Sequence, residues 1–504
     1  MIPKRNALLL GVVLAALGLC CRGAAASAPA TVARPHTASS KKSHGSEAPA
    51  PAQGAAPETL TYGRLGTVTL YRGPHPRHLV LFFSGDGGWN QGVVDMARSL
   101  AQMDTVVAGI NLPYFLKRLA ATNEACSYPA ADLEGLSKLI QKKLGFATYE
   151  APVLVGYSSG ATLAYAILVQ APPNTFRGAI SMGFCPDLPL KRPFCEGHGL
   201  KGEPGPKGKG ISFLPASTLE QPWIAFQGDA DKVCFKDDVV RYASQVKGAH
   251  VVVLPLVGHG FSKQARWLPQ FRDAFRHLVE TQQAETRPVS AKELEGLPLV
   301  EVTARGAGGG DALAVIVSGD GGWAGLDREV AGVLSAKGVP VVGLDSLRYF
   351  WTARTPDVAA RDLARILRHY LAAWNRKEAL LIGYSLGADV LPYMASRLPA
   401  DLLDRVRLLA LLGPDRYATF EFHVTEWLHL GESKEFPVLP EVKKLAGRPP
   451  LLCVYGKKEE DESICPEIAP PLGKAVALSG SHHFGGDYDT VADLILESAR
   501  AGGH

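Results

Sequence analysis

The glycine-rich turn SGDGGW is written twice in this chain, at residues 84–89 and 318–323. Around it, HLVLFFSGDGGW matches LAVIVSGDGGW, APVLVGYSSGA matches EALLIGYSLGA, QPWIAFQG matches PPLLCVYG, and LVGHGF matches LSGSHHF. The paired landmarks Ser84 and Ser318, Ser158 and Ser385, Gly228 and Gly456, and His259 and His482 each lie about 230 residues apart. Four landmarks in one order at one spacing mean that a whole domain has been repeated. A chain of 504 residues is too long for one ordinary core and accommodates two domains of roughly 200 residues each.

Each copy alternates short β-branched apolar runs with amphipathic stretches. In the second copy the spacing predicts strands over 313–318, 339–344, 380–384, 406–412, 451–455 and 475–478, and a helix over 357–374. Continuous apolar strands separated by helices imply a mostly parallel sheet covered on both faces, an α/β architecture. The polar stretch 280–298 marks the seam, giving an N-terminal domain over 59–285 and a C-terminal domain over 286–504.

Ahead of both copies, a basic start, a short apolar run and a small-residue site read as a signal peptide over 1–28. An Ala/Pro/Ser-rich linker over 29–58 follows, with almost nothing to bury. Export to an oxidising compartment, the periplasm, suits the six cysteines that remain: Cys126, Cys185, Cys195 and Cys234 in the first copy, Cys453 and Cys465 in the second. Four cysteines allow three connectivities; the second copy allows only Cys453 with Cys465. A net charge of +4 without a Lys/Arg-rich block excludes nucleic acid as a partner class. The Lys/Gly/Pro-rich stretch 197–210 reads as a mobile surface loop.

Both Gly156-Tyr157-Ser158-Ser159-Gly160 and Gly383-Tyr384-Ser385-Leu386-Gly387 fit G-x-S-x-G, each directly after a strand-like run and before a helical one. In that context the serine is held on a sharp turn of an α/β-hydrolase-like sheet, and its partners follow in the order acid, then histidine. The first copy offers Ser158, Asp231 (with Asp229 as the alternative) and His259; the second offers Ser385, an acid from 459–462, and His482 or His483. Matching H-x-F selects His482 over His483, and Asp461 is favoured as acid over Glu459 and Glu460. The imidazole takes the serine proton while a carboxylate fixes its tautomer. SGDGGW occupies the place of the second oxyanion donor, pairing the backbone N–H of Asp86 with that of Ser159, and of Asp320 with that of Leu386. Neither copy has the spacing of a nucleotide-binding loop, and no cofactor or metal is expected.

SGDGGW, GYSLGADVLPY, FEFHVTEWL, the acidic stretch before Cys465-Pro466, and HHFGGDY together resemble the AcvB/VirJ bacterial virulence-protein family. The resemblance covers nearly all of the second copy, and the two-copy exported layout is similar to the AcvB branch. It implies an envelope serine ester hydrolase with two α/β-hydrolase domains, cleaving the aminoacyl ester of lysyl-phosphatidylglycerol with Ser385 as nucleophile. Its partners would be the aminoacylated headgroup at a membrane surface and envelope secretion proteins. The carboxylates at 459–462, Asp389 and Asp487 suit the ammonium groups of such an ester. The alternatives are another envelope esterase or lipase, or a non-catalytic periplasmic scaffold. The first copy keeps all three residue types as well, so a second active site stays open.

Overall fold

The structure is a computed structural model that describes residues 57–285, 291–306, 310–422, 436–445 and 447–501. The expected signal peptide and nearly all of the linker lie outside the described residues. The linker expectation ran slightly long, because Glu58 already pairs with Leu70 in the first strand. The described residues pack as one unit.

The first sheet comprises β1 (Glu58–Tyr62), β2 (Gly66–Arg72), β3 (His78–Phe83), β4 (Thr105–Ile110), β5 (Val153–Tyr157) and β6 (Gly178–Met182). After a small sheet of β7 (Asp187–Leu188), β8 (Gly202–Pro204) and β9 (Ile211–Phe213), it is completed by β10 (Thr218–Gly228) and β11 (Lys247–Leu254). Its order is β1-β2-β4-β3-β5-β6-β10-β11. Pairing is antiparallel from β1 to β4 and parallel from there on.

The second sheet repeats this plan without the edge hairpin. Its strands are β12 (Leu299–Val302), β13 (Ala312–Val317), β14 (Val341–Leu344), β15 (Glu378–Tyr384) and β16 (Val406–Leu412). A two-stranded ribbon of β17 (Tyr417–Ala418) and β18 (Phe436–Pro437) precedes β19 (Leu451–Gly456) and β20 (Lys474–Leu478). The order is β12-β14-β13-β15-β16-β19-β20, antiparallel only at β12. These are two tandem α/β-hydrolase-like sheets, each mostly parallel and flanked by helices.

Central strands such as LVLFF and LAVIV are buried along their length because helices cover both faces. On the first sheet, helices Gln91–Ala101 and Leu268–Glu285 cover one side and Pro129–Lys143 and Ser159–Gln170 the other. On the second, Leu326–Ala336 and Tyr488–Ala501 oppose Pro356–Ala373 and Leu386–Ala395.

The Lys/Gly/Pro-rich stretch lies at the surface as expected, exposed over 197–199, 201–204 and 206–209, and neighbouring segments anchor it. β8 and β9 pair, Leu200 and Phe213 are buried, and Cys195 is tied to Cys126. The remaining disulfides are Cys185–Cys234 and Cys453–Cys465.

Helix Pro129–Lys143 of the first copy also meets the second. The ammonium of Lys138, on that helix, donates to the Asp320 carbonyl at 3.2 Å, inside the second SGDGGW turn. Just beyond, Trp351 Nε1 donates to the Phe146 carbonyl at 2.7 Å, and Tyr149 packs with Leu347, Trp351 and Phe422 in a buried cluster.

Candidate active site

The two serines sit on the same strained turn. Ser158 has φ 56° and Ser385 φ 52°, a left-handed backbone that costs a side-chain-bearing residue about 1–3 kcal/mol. The glycines of G-x-S-x-G are sterically required. A Cβ on Gly160 would lie 2.4 Å from the Phe83 carbonyl oxygen, and one on Gly387 2.0 Å from that of Val317. Close packing of helix against strand therefore allows no side chain at either position.

SGDGGW is built equally closely in both copies. Ser84 Oγ accepts from Leu112 N–H at 3.0 Å, as Ser318 Oγ does from Ser346 N–H at 2.9 Å, tying the turn to the segment after the next strand. Trp89 and Trp323 close the motif by covering Gly109 and Gly343, where a Cβ would meet the indole at 2.0 and 2.2 Å. Asp86 and Asp320 are thereby held beside the serines, and neither backbone N–H has a hydrogen-bond partner among the described residues. With the N–H groups of Ser159 and Leu386 at the helix starts, each copy offers two donors for a developing oxyanion.

In the first copy the side chains form a continuous chain. His259 Nε2 is 2.9 Å from Ser158 Oγ, and His259 Nδ1 is 2.9 Å from Asp231 Oδ2. Asp231 is clamped: its Oδ1 accepts from the N–H of Val233 at 2.8 Å and of Cys234 at 3.0 Å, and its Oδ2 from Gln227 Nε2 at 3.1 Å. The Cys185–Cys234 disulfide fastens that loop. Asp229 faces away, accepting from Leu256 N–H. Gln227 is a positioning residue that sequence reasoning missed; its only signal was a buried polar side chain in an otherwise apolar strand.

In the second copy the arrangement is looser. His482 Nδ1 pairs with Glu459 Oε2 at 3.2 Å, while Ser385 Oγ makes no hydrogen bond among the described residues. Asp461, the favoured acid, does not contact His482: its side chain is exposed, and its carbonyl accepts from Arg416. The correction has a simple geometric cause. Glu459 follows the glycine that ends its strand, Gly456, by the same step that Asp231 follows Gly228, and only that step points a carboxylate back at the imidazole. Glu460 is exposed too. His483 is turned aside, its Nδ1 3.3 Å from the Tyr384 hydroxyl. In both copies a glycine makes room for the ring: a Cβ on Gly183 would lie 3.3 Å from His259, and one on Gly413 3.1 Å from His482.

Charge separates the sites further. Around Ser385 gather Asp320, Asp327, Asp345, Asp389 and Asp415; burial pushes Asp327 and Asp389 well above the usual carboxylate range and raises Asp345, with Asp320 adding to the first two. Asp389 Oδ1 accepts from the Asp415 N–H at 2.7 Å, and Asp327 Oδ1 is buried without a partner among the described residues. The positions of Asp327, Asp389 and Asp415 hold Val93, Thr162 and Cys185 in the first copy. Asp487, expected to face a cationic substrate, instead caps the final helix by accepting from Thr490.

Among solved structures the chain is similar to an α/β serine hydrolase homologue from Coxiella burnetii (17% identity, 45% of this chain and 96% of that one, TM-score 0.30). It is also similar to Est1E from Butyrivibrio proteoclasticus (14%, 46% and 100%, TM-score 0.30) and to a lidless α/β serine hydrolase from Xanthomonas campestris (19%, 45% and 94%, TM-score 0.28). No curated protein matches. The bacterial virulence protein (VirJ) family matches residues 77–182 of the first copy and 311–502 of the second. More than half of the chain is covered, and it therefore belongs to the VirJ family of bacterial virulence proteins.

Proposed function

We propose that the chain is an exported serine ester hydrolase whose second copy cleaves the aminoacyl ester of lysyl-phosphatidylglycerol, releasing lysine and phosphatidylglycerol. The observation that carries this reading is the pair of carboxylates near the Ser385 turn that are not buried, Asp320 and the exposed Asp415. A lysyl ester brings ammonium groups to the reacting carbonyl, and nearby carboxylates attract them; buried Asp389, held toward its neutral form, accepts a hydrogen bond from Asp415 and fixes that loop. Three disulfides among the described residues support export, since such bonds persist in oxidising compartments.

Ser385 Oγ attacks the lysyl carbonyl, and His482, oriented by Glu459, takes the hydroxyl proton. The N–H groups of Asp320 and Leu386 stabilise the oxyanion. Phosphatidylglycerol leaves with the proton from His482, and water activated by the same imidazole then frees lysine. The serine and histidine come within hydrogen-bond reach when substrate fills the site, as catalytic contacts that are long in a free enzyme often do. Lysine release from vesicles containing lysyl-phosphatidylglycerol tests the reading: Ser385→Ala falls to background, and release at the wild-type rate by that variant rules it out.

A further inference from the structure

The most complete serine relay in the molecule plays no part in that reading. We propose that Ser158, His259 and Asp231 are a second, independent hydrolase centre, taking a carboxylic ester that carries an apolar arm and an anionic group. This goes beyond lysyl ester cleavage and does not depend on it. The family match covers Ser158 but ends at residue 182, before the acid and the histidine.

Geometry makes the first part of the case. A strained serine, an imidazole at hydrogen-bond distance on both sides, and a carboxylate fixed by two backbone N–H groups and a glutamine are assembled before any substrate arrives. Strain of this kind persists only where the surroundings over-determine it. The Asp231 side chain has no exposed surface and that of His259 only 17%, against 20% for Glu459 and 37% for His482.

The substrate class follows from the cavity that meets the site at its oxyanion turn rather than at the relay itself. A cavity of about 460 Å³ opens at the oxyanion turn, ending on Asp86, whose carboxylate is occupied by the Ser159 hydroxyl at 2.8 Å. Its walls include Leu112, Leu116 and Pro189, and Lys117 and Lys191 stand on its lining with exposed side chains. In the second copy the segment after the corresponding strand carries Leu347 and Trp351, which pack against Phe422 and Tyr149. The first copy also has Val93, Thr162 and Cys185 where the second has carboxylates, so an anion entering there meets two lysines instead of an acidic cluster. Exposed Val233, Phe235 and Leu256, at 63%, 57% and 68%, sit on the loops that carry Asp231 and His259 and give an apolar arm a surface to lie on.

The chemistry balances without a co-reactant other than water. Ser158 Oγ bonds to the ester carbonyl carbon as its proton moves to His259 Nε2; the carbon–alkoxide bond breaks and the alcohol leaves with that proton. Water then gives a proton to His259 and its oxygen to the acyl carbon, releasing the carboxylic acid and restoring Ser158.

The test uses the full chain. An alkyl fluorophosphonate is added and the adduct located by peptide mass mapping; mono-p-nitrophenyl adipate and the p-nitrophenyl ester of aminohexanoate are then compared as anionic and cationic substrates. The expected results are an adduct on Ser158, turnover of the adipate that Ser158→Ala abolishes, and a preference for the anionic ester. Lys117→Glu with Lys191→Glu lowers that preference at least tenfold, whereas Lys117→Arg with Lys191→Arg keeps it. Fatty-acid release from phosphatidylglycerol vesicles that also needs Ser158 places the natural ester in a membrane; turnover of the adipate alone places it in solution. An unlabelled Ser158 in the wild-type chain, or a preference that the glutamate pair leaves unchanged, overturns the proposal. Neither outcome touches the lysine assay, which reads Ser385.

Discussion

The two copies share a nucleophile turn to within a few degrees and differ in almost everything that holds the histidine. In the first, the acid is a short Asp231 locked by its own loop, and a disulfide closes that loop onto the strand end beside the serine. In the second, the acid is a longer Glu459 whose hydrogen bond to the imidazole stretches to 3.2 Å, and the disulfide is displaced to Cys453 and Cys465. Duplication preserved the parts set by backbone packing, namely the glycines, the tryptophan and the strained serine. It released the parts set by side chains.

The sharpest way to break this contrast is at the acids. Asp231→Asn is expected to lower first-copy ester turnover by about 10⁴-fold, the scale seen when a triad carboxylate loses its hold on the tautomer. Glu459→Gln lowers lysine release by less, about 10²-fold, because a half-exposed imidazole is less dependent on its partner, and Asp461→Asn leaves it unchanged. Steady-state kinetics on both substrates checks all three variants; a large loss from Asp461→Asn would restore that residue as the acid.

The disulfides come next. Cys185–Cys234 spans 49 residues and Cys453–Cys465 spans 12. Loop-closure entropy predicts losses of about 4 and 3 kcal/mol when each pair is replaced by serine. Urea denaturation ranks them, and the first replacement also slows turnover at Ser158 by loosening the loop of Asp231.

Lys138 tests whether the second site leans on the first copy. It is buried, with Glu134 at 2.8 Å and the Asp320 carbonyl at 3.2 Å, and these acids hold its ammonium above the ordinary lysine value despite burial. Lys138→Met strands Glu134 and frees the oxyanion turn, a loss of about 3 kcal/mol in stability. Lysine release falls with it, and hydrolysis at Ser158 is the internal comparison.

The smallest effect is pH dependence. Asp327, Asp345 and Asp389 titrate higher in the folded chain than in the unfolded one, so the native state keeps protons that the unfolded state releases. Their contribution is complete below the ordinary carboxylate value and is lost as pH rises through the raised values, by at most about 1.4 kcal/mol per pH unit for one group. Asp389→Asn flattens that part of the profile in thermal melts, whereas no such change follows Thr162→Asn.

Much of this was legible in the sequence because it repeats. The expected strands of the second copy differ from the observed ones by at most two residues at an end, since uninterrupted runs such as LAVIV and VRLLALL leave no other reading once helices flank them. Ser158, Asp231 and His259, which hydrogen bonds join, were named by motif and order alone, as were Ser385 and His482, which no hydrogen bond joins among the described residues. The acid of the second copy was not, because four consecutive carboxylates look alike until the strand end fixes which one turns inward. Gln227, Lys138 and the cluster of Tyr149 with Trp351 and Phe422 were invisible for a different reason. Their roles arise from contacts between distant segments, and no local spacing encodes which surface a buried lysine will meet.

The central claim is that lysyl ester cleavage belongs to the second copy while the first does other chemistry. The most direct measurement is lysine release from lysyl-phosphatidylglycerol vesicles by Ser385→Ala and Ser158→Ala side by side. The account predicts background release from Ser385→Ala and sustained release from Ser158→Ala. Sustained release from Ser385→Ala with loss in Ser158→Ala would contradict it.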